Sequence, residues 1–251
     1  MSKKRQYSWV PDTPDFRDYS FKSTKKVANL PTEMDLRSQY SLIYDQGQLG
    51  SCTANAIAMA TDFTRIKEGL QPIQPSRLFI YYNERKMEGT IPQDAGAQIR
   101  DGIKSVATSG VCPETDWPYV ISKFTSKPSK KSYADASKNL VKQYQRIDNT
   151  QLNDLKACLA AGYTFVYGFS VYESFESDKT AQTGIVTMPK KTEKLLGGHA
   201  VTACGYSDSK KAVLTRNSWG SKWGLQGHFW IPYTYLTNTN LADDFWTIRL
   251  M

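Results

Sequence analysis

Histidine is nearly absent from this 251-residue chain, which has only His199 and His228. Two imidazoles are too few for a histidine-built metal centre. The four cysteines, at 52, 112, 158 and 204, match none of the short spacings that make a zinc site, so no metal or other cofactor is expected. If one cysteine serves as a working thiol, the remaining three cannot all pair with one another, which favours a reducing compartment or a particle assembled in one. Long apolar runs are missing too. No stretch approaches the roughly 18 apolar residues of a membrane span. The basic opening Met1-Ser2-Lys3-Lys4-Arg5 meets Gln6-Tyr7-Ser8-Trp9 where a secretory signal needs an apolar core. A membrane partner and a signal peptide are therefore not expected.

What is present suits a folded chain. A hydrophobic content of 40% with 22% charge excludes wholesale disorder, and the length fits one large domain or two small lobes. The net charge of +8 is spread over Lys3-Lys4-Arg5, Lys25-Lys26, Lys130-Lys131, Lys190-Lys191 and Lys210-Lys211. Such scattered clusters read as solvated loops rather than a nucleic-acid footprint, so nucleic acid is not an expected partner.

Residues 1–29 carry turn residues (Pro11-Asp12, Pro14-Asp15, Arg17-Asp18-Tyr19) and no apolar period. They read as a leader, or a segment lying on something else, with Tyr7, Trp9, Phe16 and Tyr19 as anchors. The domain proper spans 30–251. Helical spacing predicts helices from Cys52 to Gly69, over 76–88 and over 97–108, with Ser51 capping the first. Pro118 to Ser137 reads as an exposed link. A further helix is expected over 151–161, capped by Thr150, followed by strands over 164–171, 200–206, 212–216, 227–231 and 245–250. The fold class is α+β, with a helical lobe over about 40–120, a β lobe over about 138–250, and a cleft between them.

The chemistry concentrates in three short motifs. Cys52 closes Asp45-Gln46-Gly47-Gln48-Leu49-Gly50-Ser51-Cys52 and opens the first helix. Free N–H groups and the positive dipole end there favour a thiolate. His199 lies in Gly197-Gly198-His199-Ala200-Val201, and Asn217 in Asn217-Ser218-Trp219-Gly220. If 200–206 and 211–217 form a hairpin centred on Asp208, His199 stands opposite Asn217 within carboxamide reach. The roles then divide: Cys52 is nucleophile, His199 acid and base, and Asn217 the group that orients the imidazole. Gln46 and the Cys52 backbone N–H are the oxyanion donors. Trp219 is placed over the His–Asn bond, with Trp223 as a second site wall. Gly198 leaves room beside the histidine, and Gly96 offers backbone to an extended substrate or simply starts a helix. His228, Cys112, Cys158 and Cys204 read as structural.

From about Leu30 to the C-terminus these motifs, in this order, resemble the papain-type cysteine peptidases. The frame Gln46-Gly47…Gly50-Ser51-Cys52, the Gly-Gly-His-Ala-Val around His199, and Asn217-Ser218-Trp219-Gly220-Ser221-Lys222-Trp223-Gly224 carry the likeness. Gly110-Val111-Cys112-Pro113-Glu114, Trp117-Pro118-Tyr119 and Val171-Tyr172-Glu173-Ser174-Phe175 add to it. The resemblance implies a two-lobed papain-like fold with a helical left lobe and an antiparallel, β-barrel-like right lobe. It implies the same roles for Cys52, His199, Asn217 and Gln46, a depressed thiol pKa, and protein or peptide substrates. Residues 1–29 are similar to short leaders of microbial and viral members. Their extended, Pro-interrupted polar sequence predicts partial or full autoinhibition of a precursor with this N-terminal segment as inhibitor, and the lack of a signal peptide or membrane span favours a cytoplasmic or virion-associated protein. There are two departures. Leu49 stands where members place a disulfide-bonded cysteine, and Thr53 where they place an aromatic. Relatives resembling cathepsin B close their cleft with a His pair that this chain lacks, so endopeptidase activity is expected. Two alternatives stay open: transglutaminase-like acyl transfer by the same three groups, and a binding protein whose cleft is blocked by its leader. The residues set no oligomeric state.

Overall fold

In the computed structural model, which describes residues 6–23, 30–40 and 42–251, the helices come first and the sheet follows. The Lys3-Lys4-Arg5 and Lys25-Lys26 clusters and the expected boundary at Asn29 lie outside the described residues. Strands β1 (Trp9–Val10), β2 (Ser20–Phe21) and β3 (Glu33–Asp35) precede helices α1 (Cys52–Lys67) and α2 (Arg77–Glu88). Strand β4 (Ala97–Gln98) leads into α3 (Ile99–Ser109), and α4 (Lys130–Ala136) closes the helical half. The remainder runs β5 (Gln143–Ile147), α5 (Leu152–Ala160), β6 (Phe165–Tyr172), α6 (Asp178–Thr183), β7 (Leu195–Ser207), β8 (Ala212–Arg216), β9 (His228–Pro232), α7 (Tyr233–Leu236) and β10 (Ala242–Arg249).

Every residue of α1 from Cys52 to Thr64 is buried. Ala54, Ala56, Ala58 and Ala60 keep the helix slim enough to be packed on both sides, by α2 and α3 and by β7. Its expected Ser51 cap does not form. The Ser51 hydroxyl instead meets the Tyr119 hydroxyl at 2.6 Å and accepts Asn55 Nδ2–H at 3.0 Å. Helix α2 does carry its cap, Ser76 Oγ accepting the Phe79 N–H at 3.1 Å, and ends at Gly89 in the left-handed region. Residues 97 and 98 are strand rather than helix, because they pair with β1. The expected exposed link contains α4, which Ser129 caps at the Ser132 N–H and which buries Ser132 and Ala136. Thr150 does not cap α5; its hydroxyl bonds Asp148 in the preceding turn.

The main sheet runs β2-β5-β10-β6-β7-β8-β9, with β3 on β7. Its pairings are antiparallel except that β2 lies parallel to β5. The β7–β8 hairpin departs from the expected register. Its turn spans 208–211, and a bulge follows Ala203, so Thr202 faces Arg216 and Ser207 faces Ala212. His199 pairs with Phe169 of β6 instead. In β10 the register shifts between Asp243 and Trp246, with Asp244 between them at φ 58°. Short polar side chains tolerate that conformation, and its side chain is wholly buried. Among the described residues no helix is long and apolar enough to cross a membrane.

Candidate active site

Helix α1 packs against strand β7, and Cys52 on the one and His199 on the other both have no exposed surface. The backbone N–H of Ala200, the residue that follows His199, favours the charged form of the Cys52 sulfur. The His199 ring is fixed by Asn217. Asn217 Oδ1 accepts the Ser218 N–H at 2.9 Å, which orients the amide, so the His199 nitrogen 2.9 Å from the same oxygen, Nε2, carries its proton. The imidazole stacks on Trp219 at 5.0 Å and meets Phe169 edge-on at 5.8 Å. Trp223 packs edge-on against Trp219 and Phe229 and tilted against Phe175. The His–Asn pairing anticipated from a direct cross-strand position forms from a diagonal one. The register is displaced, yet the two side chains still share a face.

The loop before Cys52 is held from several sides. Gln46 is buried, its Nε2 donating to Leu49 O at 3.0 Å and its Oε1 accepting Ser218 Oγ–H at 2.6 Å. Arg77 donates to Asp45 O at 3.2 Å, lies between the rings of Tyr44 and Tyr119, and pairs with Glu114 at 2.6 Å. Thr53, the departure beside the thiol, donates to the buried Glu84 at 2.6 Å. Sequence reading missed Arg77, Ser218 and Glu84. Nothing in their local spacing ties them to residues thirty or more positions away.

Residues 7–9 straddle the sulfur. Tyr7 stands edge-on to His199 at 6.3 Å and to Trp219 at 6.2 Å. Ser8 Oγ lies 3.7 Å from Cys52 Sγ. Trp9 is buried over Gly198, where an added Cβ would come within 2.7 Å of its ring, and its indole N–H donates to Asp244 Oδ2 at 3.0 Å. Strand β1 lies parallel to β4, with Ala97 N–H donating to Ser8 O at 3.3 Å. Gly96, at φ 73°, does not start a helix. A Cβ there would fall 1.8 Å from the Ser8 carbonyl oxygen.

The other leader anchors are charges rather than rings. Phe16 and Tyr19, expected as anchors, are 99% and 76% exposed. Asp12 instead accepts the Trp246 indole N–H at 2.9 Å and the Arg100 N–H at 3.0 Å, and its own N–H donates to Asp244 Oδ2 at 2.8 Å. Asp18 pairs with Arg100 at 2.5 Å, and Arg146 bonds Asp243 and Asp244 at 2.7 and 3.1 Å. Backbone donors and bidentate arginines hold this segment more specifically than exposed aromatics would.

The expected depressed thiol is not found with the leader seated. Burial pushes the Cys52 thiol above its ordinary range, outweighing the opposing hydrogen bonds from Ala200 and Ser8. Cys112, Cys158 and Cys204 are buried and, like Cys52, unpaired. His228 accepts Arg216 Nε–H at 3.1 Å, and burial followed by the Arg216 charge lowers its pKa to about 4.

Comparison with known proteins agrees with this geometry. A family model for papain family cysteine proteases matches residues 30–245. An uncharacterized peptidase C1-like protein of Acanthamoeba polyphaga mimivirus is 43% identical over 98% of this chain and 87% of its own length. The crystal structure of xylellain, a cysteine protease from Xylella fastidiosa, superposes with a TM-score of 0.93 at 44% identity, covering 99% of this chain and 97% of that one. A digestive procathepsin L 3 of Tenebrio molitor, 18% identical, shares the fold with a TM-score of 0.73 over 93% of this chain and 74% of its own. With a thiol at the start of a buried helix, an asparagine-held histidine beside it and a family match over most of its length, the chain belongs to the papain family of cysteine proteases.

Proposed function

We propose that this chain is a cysteine endopeptidase, made as an autoinhibited precursor, that hydrolyses protein or peptide substrates through a thioester on Cys52. The observation that carries the reading is a single-residue step: the Ala200 N–H bears on the sulfur and favours its thiolate, and His199, next in the chain, is held by Asn217. With Nε2 protonated toward Asn217, Nδ1 takes the thiol proton as sulfur adds to the substrate carbonyl. The Cys52 N–H and the Gln46 amide hydrogen not used on Leu49 O receive the oxyanion. Each such donor is worth on the order of 3 kcal/mol of transition-state stabilisation. The imidazolium then protonates the leaving amine, and water, deprotonated by His199, releases the acid and restores the thiol.

Residues 1–29 act in this reading as the cleft-covering segment, because 7–12 occupy the ground a substrate needs. Likeness to a procathepsin fold supports a precursor. Four unpaired thiols support a reducing compartment or a particle assembled in one. The test is labelling with a thiol-directed peptidyl epoxide, comparing the full chain with a leader-loosened Trp9→Ala variant and locating the adduct by mass. A Cys52 adduct that forms faster in the variant, with carboxylate as the peptide product, fits the proposal. An amide product with an added amine means acyl transfer. An adduct only at Cys112, Cys158 or Cys204 overturns the assignment, and no adduct in either protein points to a blocked binding protein.

A further inference from the structure

We propose that Asp94, acting with Tyr81, is a positioning residue that clamps the nucleophile loop to the backbone strip receiving the substrate. The proposal rests on the reading of Cys52 as nucleophile and adds two residues to it.

Both carboxylate oxygens of Asp94 accept the Gly50 N–H at 3.0 Å, two positions before Cys52. The Tyr81 hydroxyl donates to Asp94 Oδ1. That same hydroxyl oxygen accepts the Gly96 N–H at 3.3 Å. A relay thus runs from Gly50 through Asp94 and Tyr81 to Gly96, joining the two walls that flank Ser8. Burial and the neighbouring Asp94 push the Tyr81 phenol far above its ordinary range, so it keeps the proton that the relay needs. Leu49 supplies no covalent tie here, and the four cysteines are unpaired, so the link between these walls is made by hydrogen bonds.

Both ends of the relay meet the reacting region. At one end, Gly50 leads directly into α1, so a shift of its amide carries the Cys52 sulfur and N–H with it. Misplacing reacting groups by about 1 Å costs on the order of a hundredfold in rate. At the other end, Gly96 precedes Ala97, whose N–H holds the Ser8 carbonyl and becomes available to a substrate carbonyl when the leader lifts. Tyr81 is wholly buried on α2, and α2 packs against both α1 and β4, so the clamp is built on rigid elements.

The test uses the full-length chain. Alkylation of Cys52 by iodoacetamide, which needs only an exposed thiolate, is compared with inactivation by a peptidyl epoxide, which also needs the strip. The ratio of the two rates cancels how often the leader lifts. Tyr81→Phe is expected to lower the epoxide-to-iodoacetamide ratio about fivefold, the worth of one hydrogen bond, by raising the epoxide's inhibition constant while its limiting rate holds. Asp94→Asn is expected to lower the ratio by about tenfold through the limiting rate as well. A merely structural role slows both reagents together and leaves the ratio in place. A ratio lowered less than about twofold in the folded variants, below what one such hydrogen bond is worth, overturns the clamp. If Asp94→Asn fails to fold, Tyr81→Phe decides alone. No epoxide adduct at Cys52 in either the unmodified chain or the leader-loosened Trp9→Ala variant sinks the nucleophile reading and the clamp with it; an adduct with an unmoved ratio sinks the clamp only.

Discussion

Ser8 and Cys52 share one small volume: the serine hydroxyl stands 3.7 Å from the sulfur, where an attacked carbonyl needs to sit. The seat has two consequences at once. In the proposed precursor it excludes a substrate sterically, and it removes water from a thiol that burial then holds in its neutral form. On the same proposal, lifting the leader reverses both, leaving the helix N-terminus and His199 to favour the thiolate.

Trp9→Ala is expected to unlock the full chain. Removing a buried indole costs about 3 kcal/mol, on the order of a hundredfold in the docking equilibrium. Peptide hydrolysis by the variant should begin without delay and at least about tenfold faster than by the unmodified chain. An unchanged initial rate means that residues other than the leader limit access.

Within that unlocked background, Gln46→Ala is expected to lower kcat by about a hundredfold or more with little change in KM, as loss of an oxyanion donor does. Asn217→Ala should lower kcat/KM by about a hundredfold, because it frees the imidazole that Oδ1 now orients. It also strands the Ser218 N–H, so an unfolding midpoint is measured alongside. Wild-type kinetics in either variant contradicts the assigned role.

The carboxyl pair under the leader predicts a pH response. Burial, with Asp12 next to it, pushes Asp244 up to about 7, and burial raises Asp12 as well; Asp243, Asp18, Arg100 and Arg146 surround them. Both carboxyls hold protons more tightly in the folded chain than unfolded. Their contribution to stability is present near the ordinary value of 3.8 and is lost as pH rises through about 7. Asp244→Asn should therefore flatten the fall in unfolding midpoint between pH 5 and 8, on the order of the window between those two pKa values. An unaltered slope removes the pair from the explanation.

His228 predicts the opposite slope. Its pKa is lowered from 6.5 to about 4, so its contribution is intact above 6.5 and is lost as pH falls through about 4. His228→Gln should flatten the acid limb of the stability curve while leaving the acid limb of kcat/KM in place. A shifted activity limb in that variant would tie His228 to catalysis.

The candidate site residues could be picked out because each sits in a dense local motif. A Gly-rich frame precedes Cys52, paired glycines precede His199, and a Trp-Gly run follows Asn217. The helices were legible from period and from Gly89 and Gly110, which end α2 and α3. The β7–β8 register was not, since the turn takes in 208–211 rather than centring on Asp208, and the bulge after Ala203 that shifts the pairing again leaves no local mark on an alternating strand. Helix α4 hid in a polar, Lys-rich stretch whose only signal was Ser129 as a cap.

Sequence alone, then, determined the reagents: one thiol at a helix start, one imidazole, one carboxamide and a polar leader without a core of its own. These follow from residue types and short spacings, which the local backbone obeys. Tertiary structure decided what lies on what. Asp12 and Asp244 meet across 232 positions, Ser8 comes to rest on Cys52 across 44, and Asp94 reaches back to Gly50. Such contacts carry no spacing rule, because they exist only after burial of the core has closed the long loops between them.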